Sequence, residues 1–360
     1  MIKQSIRPTI YFLSFVGPHY SRSSTILNFT SEKFEKKFLK VESGLIGIYR
    51  SLAENRKELK SAQAIIVMSP CHMIAPLARI VLRKPVILDA GWSLTDGILS
   101  RGITVFDTMR LVRSYFLDLI AFHISQQILF ESKAQLRRSR KIFRLSEKKS
   151  SVQYTGLDES KFRKFEVKSA LVLDIEKKLE AINNPLTVIF RGKVNNESGF
   201  SLILEAAKRM NGIATFIFVI GLNDECLDPS ENVVIVKEIT NSEMHYLYEF
   251  SDIAIGQFSD HPRLRYTIPH KAFEAGFYSK CYISADAIGV REIFNEESVI
   301  LLKEISSGSL ESTIRSLAPK RLREEYCKNI NRNYLKNLSQ EGISNQFDQI
   351  VIRLLSHHSK

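Results

Sequence analysis

Short apolar runs alternate with segments of helical periodicity along most of the chain, and this alternation constrains the fold more than any other feature. Residues 64–68, 86–88 and 186–190 are almost continuously apolar, as strands buried on both faces are. Between such runs lie segments such as 45–59 and 200–210, whose apolar residues recur at helical spacing. The pattern predicts an α/β chain with parallel, doubly wound sheets. At 360 residues the chain exceeds one ordinary core, so we expect two domains.

The charge is unevenly distributed between the two halves of the sequence. Residues 1–170 hold 29 Lys and Arg against 14 Asp and Glu, a net charge of +15, whereas residues 171–360 hold 22 against 25, a net −3. A basic half suits nucleic acid, an anionic membrane or an acidic substrate. Nucleic-acid binding predicts basic residues interleaved with aromatics, or a recognisable reading helix, and the sequence has neither. We therefore expect an anionic membrane surface or a lipid-phosphate acceptor, and no nucleic acid.

The densest group of positive charges lies near the middle of the basic half. It consists of Arg137, Arg138, Arg140, Lys141, Arg144, Lys148 and Lys149. Two interpretations remain open, a solvated helix face with a basic C-terminal end and a functional contact surface.

The cysteines and the apolar runs indicate the cellular compartment in which the protein is expected. Cys71, Cys226, Cys281 and Cys327 lie far apart and show no metal-binding spacing, which predicts reduced, packed side chains in a cytoplasmic protein. The run 10–16 follows Lys3 and Arg7 but is short for a signal peptide and suits a buried first strand. No stretch reaches about 18 uninterrupted apolar residues. We expect a cytoplasmic protein, with peripheral attachment to the inner face of the membrane as an open alternative.

Two positions in the first half follow predicted strands. Gly17 comes after the strand 9–15, in a loop where ligands approach an open parallel sheet. It either lets the loop approach a ligand closely or simply makes a turn. Asp89 follows the strand 86–88 and either orients a substrate hydroxyl or caps a loop. His72 and His123 are expected to be packed or solvated helix residues, because neither has a partner fixed by local sequence.

The segment 269–294 combines a short helix, a strand and a glycine turn. Pro269 suits the first turn of a helix that carries Lys271 and Glu274 and that the following glycine can end. Residues 281–284 are typical of a short strand, and Gly289 lies in a turn with room for close backbone approach. The sequence thus predicts a helix, strand and loop unit.

The segment 269–294 resembles the nucleotide-binding signature of retaining glycosyltransferases of the GT-B type, family 4. That family has a Pro-x-Lys-x-x-Glu-(Ala or Tyr) run, matched by Pro269, Lys271, Glu274 and Ala275, and a later loop with Gly289 and Glu292. The loop 191–199 is similar to the family motif Gly-Arg-Leu-x-x-x-Lys-Gly. In that loop Lys193 takes the place of the Arg, and Ser198 replaces the Lys.

The resemblance implies a GT-B architecture, with two Rossmann-like doubly wound parallel-sheet domains and a cleft between them. Residues 1–168 would form an acceptor-binding domain and residues 169–340 a nucleotide-sugar-binding domain. Residues 341–360 would form a helix that packs back on the first domain.

The resemblance also implies an activity and a set of site residues. A sugar would move from a nucleoside diphosphate sugar, such as a UDP or GDP sugar, to an acceptor hydroxyl with retention. Glu274 would accept hydrogen bonds from the ribose diol, and cations would neutralise the diphosphate. The implied catalytic residues are Lys193, Glu274 and Asp89. The implied donor-binding residues are Gly17, Arg191, Gly192, Lys193, Lys271, Glu274 and Gly289.

No cofactor and no metal ion are expected, which agrees with the lack of an Asp-x-Asp motif. The implied acceptor is a saccharide or a lipid-linked saccharide, in the synthesis of bacterial cell-surface polysaccharide, lipopolysaccharide or glycolipid. Ser198, the presence of Gly91 where the commoner family form has His, and the single glycine of the first loop keep open a non-catalytic binding module with this fold. A nucleotide-sugar epimerase, another reaction of the same fold, is a second alternative.

Overall fold

The computed structural model describes residues 7–18, 21–29, 32–101, 107–162, 167–225 and 229–358. Residues outside these ranges include Lys3, which precedes the first apolar run, His19 and Tyr20 of the first loop, Cys226, and residues 163–166 near the predicted domain boundary. The chain forms two compact units, Met1–Gly156 with Gln340–Lys360, and Leu157–Ser339.

The division falls after Gly156, whereas the sequence-based boundary follows residue 168. The short 3-10 helix Glu159–Phe162 packs with the second unit, which accounts for the difference. Tyr334 donates a hydrogen bond to Glu159 at 2.8 Å, and the rings of Phe162 and Tyr278 meet at a centroid distance of 6.3 Å.

The first unit contains a parallel sheet of six strands in the order β2-β1-β3-β4-β5-β6. The strands are β1 Thr9–Ser14, β2 Glu35–Lys40, β3 Ala64–Val67, β4 Val86–Gly91, β5 Gln127–Phe130 and β6 Ser150–Val152. The helices are α1 Ser21–Phe29, α2 Leu45–Glu54, α3 Arg56–Ser61, α4 Ile74–Leu82, α5 Leu94–Leu99, α6 Asp107–Ile124 and α7 Lys133–Phe143.

Side chains on the two faces of the first sheet enter different cores, because successive residues of a strand point to opposite faces. Tyr11 and Leu13 pack with residues of α2, α3, α4, α6 and α7 on one face. Ile10 and Phe12 pack with α1 and with the helix Gln340–His358, numbered α14, on the other. The last helix therefore completes the core of the first unit.

The second unit repeats the architecture with a six-stranded parallel sheet in the order β12-β11-β10-β7-β8-β9. Its strands are β7 Leu186–Arg191, β8 Ala214–Val219, β9 Val233–Val236, β10 Ile253–Ile255, β11 Cys281–Ala285 and β12 Ile300–Leu302. Its helices are α8 Ala170–Ile182, α9 Phe200–Arg209, α10 Asn241–Phe250, α11 His270–Phe277, α12 Ser307–Ser316 and α13 Lys320–Asn337. The prediction of two doubly wound parallel sheets is confirmed.

The strand order reverses direction once in each sheet. In the second unit the chain runs outward from β7 through β8 to β9, and then from β10 through β11 to β12 on the other side. The reversal between β7 and β10 is a topological switch point, where open α/β sheets bind ligands beyond the carboxyl ends of the strands. None of the helices in the described residues is both long and apolar enough to cross a bilayer.

Candidate functional site

Two of the predicted site residues meet at the switch point of the second unit. Arg191 is the last residue of β7, and Glu274 lies on α11, which follows β10 in the chain. A guanidinium nitrogen of Arg191 donates a hydrogen bond to Oε1 of Glu274. The pair therefore joins two elements on either side of the position where the sheet order reverses.

The carboxylate of Glu274 is buried, with 1% of the residue exposed, and both of its oxygens are engaged. His270 Nδ1 lies 3.1 Å from Oε1, and the hydroxyl of Tyr248 donates to Oε2 at 2.7 Å. Burial raises the pKa of a carboxyl group, but the charge of Arg191 and the bonds from His270 and Tyr248 outweigh it and lower the pKa of Glu274 to about 2. Glu274 is thus a buried, ionised acceptor.

Lys271 contributes a second positive charge beside the first loop. Its Nζ donates to Oε1 of Gln257 at 2.8 Å and lies 5.0 Å from the centroid of the Phe190 ring. Burial lowers the pKa of Lys271 to about 8, although the negative charge of Glu274 opposes this shift. A Cβ at Gly192 would lie 3.0 Å from Nζ of Lys271, so the glycine leaves room for the ammonium group.

The loop between β7 and α9 is held by Ser198. Its hydroxyl lies within hydrogen-bond distance of the carbonyl oxygens of Lys193 and Asn195, at 2.7 and 2.8 Å. Gly199 follows with φ of +73°, and a Cβ there would overlap the carbonyl oxygen of Phe258. Ser198, where the family motif has a cation, therefore fastens the turn that leads into α9.

Lys193 projects from this loop. Its side chain is exposed, and no ion-pair partner for it occurs among the residues that the structure describes. The neighbouring Arg263 is instead paired with Glu197 at 3.3 Å. The start of α9 adds backbone N–H groups that are not satisfied within the helix. Lys193, Lys271 and Arg191 thus place three basic side chains at this edge of the sheet.

Gly289 packs closely against the backbone of residues 265–267. A Cβ at this position would overlap the carbonyl oxygen of Thr267, and the N–H of Gly289 donates to the carbonyl oxygen of Arg265 at 3.2 Å. Close backbone packing thus explains the glycine, and its predicted donor-binding role stays a prediction.

Asp89 and Gly17 are the predicted site residues of the first unit. Asp89 is fully buried within β4, two residues before the last residue of the strand, whereas the sequence placed it after the strand. Arg22 donates to Asp89 Oδ1 from Nη2 at 2.6 Å and from Nε at 2.9 Å, and its Nη1 donates to the carbonyl oxygen of Gln153. These contacts give Asp89 a structural role as a counter-ion. Its predicted catalytic role, and the predicted role of Gly17 after β1, stay predictions.

His72 is buried, and its Nδ1 lies 3.4 Å from the carbonyl oxygen of Pro70. His123 is exposed, and its Nδ1 lies 2.9 Å from the carbonyl oxygen of Leu119 in the same helix. His72 lies in the turn before α4 rather than in a helix, and its Nε2 is 3.9 Å from Oδ1 of the buried Asp118, a partner that the local sequence does not indicate. His123 is a solvated helix residue, as the sequence predicts.

Sequence reasoning missed two partners of Glu274. His270 stands four residues before it on the same helix, a spacing that places two side chains on one face and that could have been used. Tyr248 lies on α10 and is brought in by tertiary packing, since its ring stacks on Tyr278 at a centroid distance of 4.5 Å. Within the described residues, no group of three or more His, Cys, Asp or Glu is arranged to hold a metal ion.

No protein-family model matches the sequence, and no match is found among curated proteins. Solved structures are similar in fold. Anabaena HepE in complex with UDP-glucose superposes with a TM-score of 0.73 at 13% identity, covering 96% of this chain and 99% of that chain. A glycosyltransferase from Rickettsia africae gives 0.72 at 12% identity, with 98% and 99% covered. WaaG, a glycosyltransferase involved in lipopolysaccharide biosynthesis, gives 0.62 at 12% identity, with 95% and 99% covered.

At this identity the comparisons establish the fold. The chain has the two-domain α/β architecture of GT-B proteins, with one six-stranded parallel sheet in each unit.

Proposed function

We propose that this chain is a glycosyltransferase that moves a sugar from a nucleoside diphosphate sugar to an acceptor hydroxyl, with retention at the anomeric carbon, as family 4 enzymes do. The observation that carries the proposal is the buried, ionised carboxylate of Glu274, surrounded by Arg191, Lys271 and the loop after β7. This arrangement stands at the switch point of an open parallel sheet, where nucleotides bind in such folds.

Glu274 binds the ribose in this proposal. Two carboxylate oxygens can accept hydrogen bonds from both hydroxyl groups of a ribose diol. Arg191 donates to Oε1 in the structure, so on binding a ribose hydroxyl takes its place while the guanidinium turns to the diphosphate. The exchange replaces one charged hydrogen bond by another, which keeps the cost of opening the pair low.

Lys193 and Lys271 bind the diphosphate, together with the backbone N–H groups at the start of α9. Gly192 lies between the end of β7 and Lys193. Because it has no side chain, a phosphate can approach the ammonium group of Lys271. Positive charge at this place stabilises the diphosphate as it leaves, because negative charge builds up on its bridging oxygen.

The chemical step breaks the bond between the anomeric carbon and the diphosphate oxygen and forms a bond to the acceptor oxygen on the same face. The proton of the acceptor hydroxyl passes to an oxygen of the departing diphosphate, so no side chain has to act as the base. Cationic side chains take the role that a metal ion has in enzymes with an Asp-x-Asp motif, and we propose metal-independent activity.

The acceptor is proposed to be a saccharide or lipid-linked saccharide of the bacterial cell surface, reached by a cytoplasmic protein at the inner face of the membrane. Two observations support this class. The first half of the sequence is strongly basic, and the fold is shared with WaaG.

A non-catalytic binding module is the second candidate. It is favoured by the full engagement of the Glu274 carboxylate by Arg191, His270 and Tyr248, and by Ser198 in place of a cation. A nucleotide-sugar epimerase on the same fold would act without any acceptor and would release a changed nucleotide sugar.

The proposal is tested by thermal denaturation with UDP, GDP, ADP and TDP sugars in the presence of EDTA. A ligand that binds only the native protein raises its stability by about 2.7 kcal/mol at a hundred times its dissociation constant. We expect one nucleotide class to stabilise the wild type and the Glu180→Ala control, whose glutamate is exposed on α8. The same ligand should not stabilise Glu274→Ala or Lys193→Ala, each compared with its own unliganded melt.

Turnover then separates the candidates. Release of the nucleoside diphosphate with formation of a glycosylated acceptor supports the transferase, and a changed nucleotide sugar without acceptor supports the epimerase. Binding without either product supports the binding module. A cooperative melt that no nucleotide sugar shifts would remove the main support for all nucleotide-based functions.

A further inference from the structure

Helix α6 exposes an apolar stripe on the side that faces away from its own core. Met109, Val112, Phe116 and Ile120 are 81%, 48%, 55% and 52% exposed. Their spacing places them on one face of the helix. The opposite face is buried through Asp118, Ala121 and Phe122. A helix that is apolar on both its buried and its exposed side is unusual in a globular protein, where polar residues normally cover the solvent side.

Neighbouring helices of the same layer repeat the pattern. α4 packs beside both α2 and α6. It exposes Ile80, and α2 exposes Leu45, Ile46 and Tyr49. Half of the large apolar side chains that are exposed among the described residues belong to these three helices. Together they form one outer face, which we call the α2-α4-α6 face, rather than scattered single residues.

Helix α7 places free positive charges beside this face. Phe143 of α7 packs against Phe122 of α6 at a centroid distance of 5.0 Å, so the two helices are neighbours. Arg137, Lys141 and Arg144 follow one another at helical spacing on the exposed side of α7 and its C-terminal cap. Because both helices bury their other sides against the same face of the sheet, these exposed sides point the same way.

The basic cluster of the sequence divides into two groups in the structure. Arg138 is paired with Asp96 at 2.8 Å, and Arg140 bonds to Glu147 and Ser150, so these two arginines hold the fold. For Arg137, Lys141 and Arg144, no ion-pair partner occurs within the part of the chain that the structure describes. The sequence of α7, KAQLRRSRKIF, contains no acidic residue that could neutralise them.

We propose that the α2-α4-α6 face and the exposed side of α7 dock this protein on an anionic lipid bilayer. The apolar stripe of α6 would lie at the level of the headgroups and upper acyl chains, and Arg137, Lys141 and Arg144 would contact lipid phosphates. Stable attachment of a peripheral protein requires two such signals, one apolar and one electrostatic, and this surface supplies both.

The charge pattern favours a bilayer over a second copy of this chain. A second copy that covered the exposed side of α7 with its own α7 would face like charges, because this helix carries no acidic residue, and such a contact is unfavourable. An anionic surface gives each of these cations a partner and covers the apolar stripe as well. Docking does not depend on the proposed sugar transfer, because none of the residues involved belongs to the cluster around Glu274.

Vesicle sedimentation of the full chain tests the proposal, with and without phosphatidylglycerol in phosphatidylcholine and at low and high ionic strength. The charge variant is Arg137→Glu, Lys141→Glu and Arg144→Glu, and its matched control is Lys177→Glu, Lys303→Glu and Lys328→Glu, exposed lysines of the second unit. A cation near an anionic surface contributes about fivefold to binding, so we expect the charge variant to lose about a hundredfold and the control little.

The apolar variant is Met109→Ser, Phe116→Ser and Ile120→Ser, compared with Leu173→Ser, Leu322→Ser and Leu335→Ser, which are exposed on other helices. We expect the apolar variant to lose at least about tenfold in vesicle binding and its control to bind as the wild type does. Each variant should keep the wild-type melting temperature, because all the changed side chains are exposed.

Three results would overturn the proposal. One is equal binding to neutral and anionic vesicles, and another is equal loss in the site variants and in their controls. The third is an apolar variant that changes the oligomeric state in sedimentation velocity without changing vesicle binding, since this would assign the face to self-association. The nucleotide-sugar melting experiment stays independent, so failure of docking does not affect the proposed transfer reaction.

Discussion

Arg191 and Glu274 form an ion pair between the carboxyl end of β7 and helix α11. The pair fixes the charge and orientation of both side chains. The carboxylate is already ionised and already oriented by three donors, and the guanidinium is held beside the loop that carries Lys193. A nucleotide that brings both hydroxyl groups and phosphates therefore offers a new partner to each member of the pair.

The depressed pKa of Glu274 predicts an acid-sensitive contribution to stability. The folded-state pKa of about 2 lies below the ordinary value of 4.5, so this stabilisation is complete above about pH 4.5 and is lost as the pH falls toward 2. The difference corresponds to about 3 kcal/mol. Urea denaturation at pH 3 and pH 7 should show the Glu274→Gln variant closer to the wild type at pH 3. The exposed control Glu180→Gln should track the wild type at both values. A constant separation between Glu274→Gln and the wild type would contradict the prediction.

The lowered pKa of Lys271 predicts proton uptake when a diphosphate binds. The folded-state pKa is about 8 against the ordinary 10.5, so about half of the free molecules lack this proton at pH 8. A bound diphosphate favours the ammonium form, hence affinity for UDP should fall as the pH rises above 8. Between pH 8 and 10.5 the unfolded chain holds the proton more tightly, so the stability of the unliganded protein should rise over that interval.

Calorimetry of UDP binding at pH 8, in two buffers that differ in ionisation enthalpy, measures this proton. Lys271→Gln should abolish the proton uptake. Lys193→Gln should weaken UDP binding but leave the proton uptake unchanged. Undiminished uptake by Lys271→Gln would show that another group titrates.

Gly199 is predicted to be far less replaceable than a glycine of similar backbone conformation elsewhere. Gly199→Ala meets both the left-handed φ of +73° and the carbonyl oxygen of Phe258. We expect a loss of about 2 to 4 kcal/mol in the free energy of unfolding. The matched control is Gly212→Ala, with φ of +78° and open space around the added carbon, which should lose about 1 kcal/mol. Equal losses in urea denaturation would remove the argument for close packing.

The buried ion pair of Arg22 and Asp89 is predicted to stabilise the folded protein. Asp89→Ala leaves a buried guanidinium without its counter-ion and should cost about 3 to 5 kcal/mol. The double variant Arg22→Met with Asp89→Leu should recover much of this loss, which a double-mutant cycle measures. An Asp89→Ala protein that melts as the wild type does but has lost turnover would instead support the catalytic role that the resemblance implies.

Much of the fold could be predicted because its signals are local. Strands such as β3, β9 and β10 are short, continuously apolar runs, and these specify parallel strands wherever helices separate them. The edge strand β2, EKKFLK, is charged and has a much weaker signal. Helix boundaries were harder to predict from the sequence. The segment 45–59 has the periodicity of one helix, but the structure breaks it at Asn55, whose side-chain amide donates to the carbonyl oxygen of Ser51. Periodicity cannot show such a bond.

The candidate site could be predicted only where its residues share a segment. Lys271 and Glu274 lie on one helix, and Arg191 and Lys193 lie two residues apart where β7 ends and the next loop begins, so the motifs found them. Tyr248 reaches Glu274 through tertiary packing, from another helix. Arg22 and Asp89 are likewise distant in sequence, and nothing local to Asp89 indicates a buried guanidinium beside it. Partners that depend on packing thus escape motif reasoning.

The return of helix α14 to the first unit fixes an order of events during synthesis. Phe347, Ile350 and Val351 cover Ile10 and Phe12 of β1, although the whole second unit is translated between them. A ribosome that has released the first six strands has therefore made a sheet with one face covered by α1 but not yet by α14. The second unit, Leu157–Ser339, is fully synthesised before helix α14, so it can complete its core before the first unit does. A chaperone that binds apolar surface would find its substrate on the part of that face that α14 later covers, until residue 351 has left the exit tunnel.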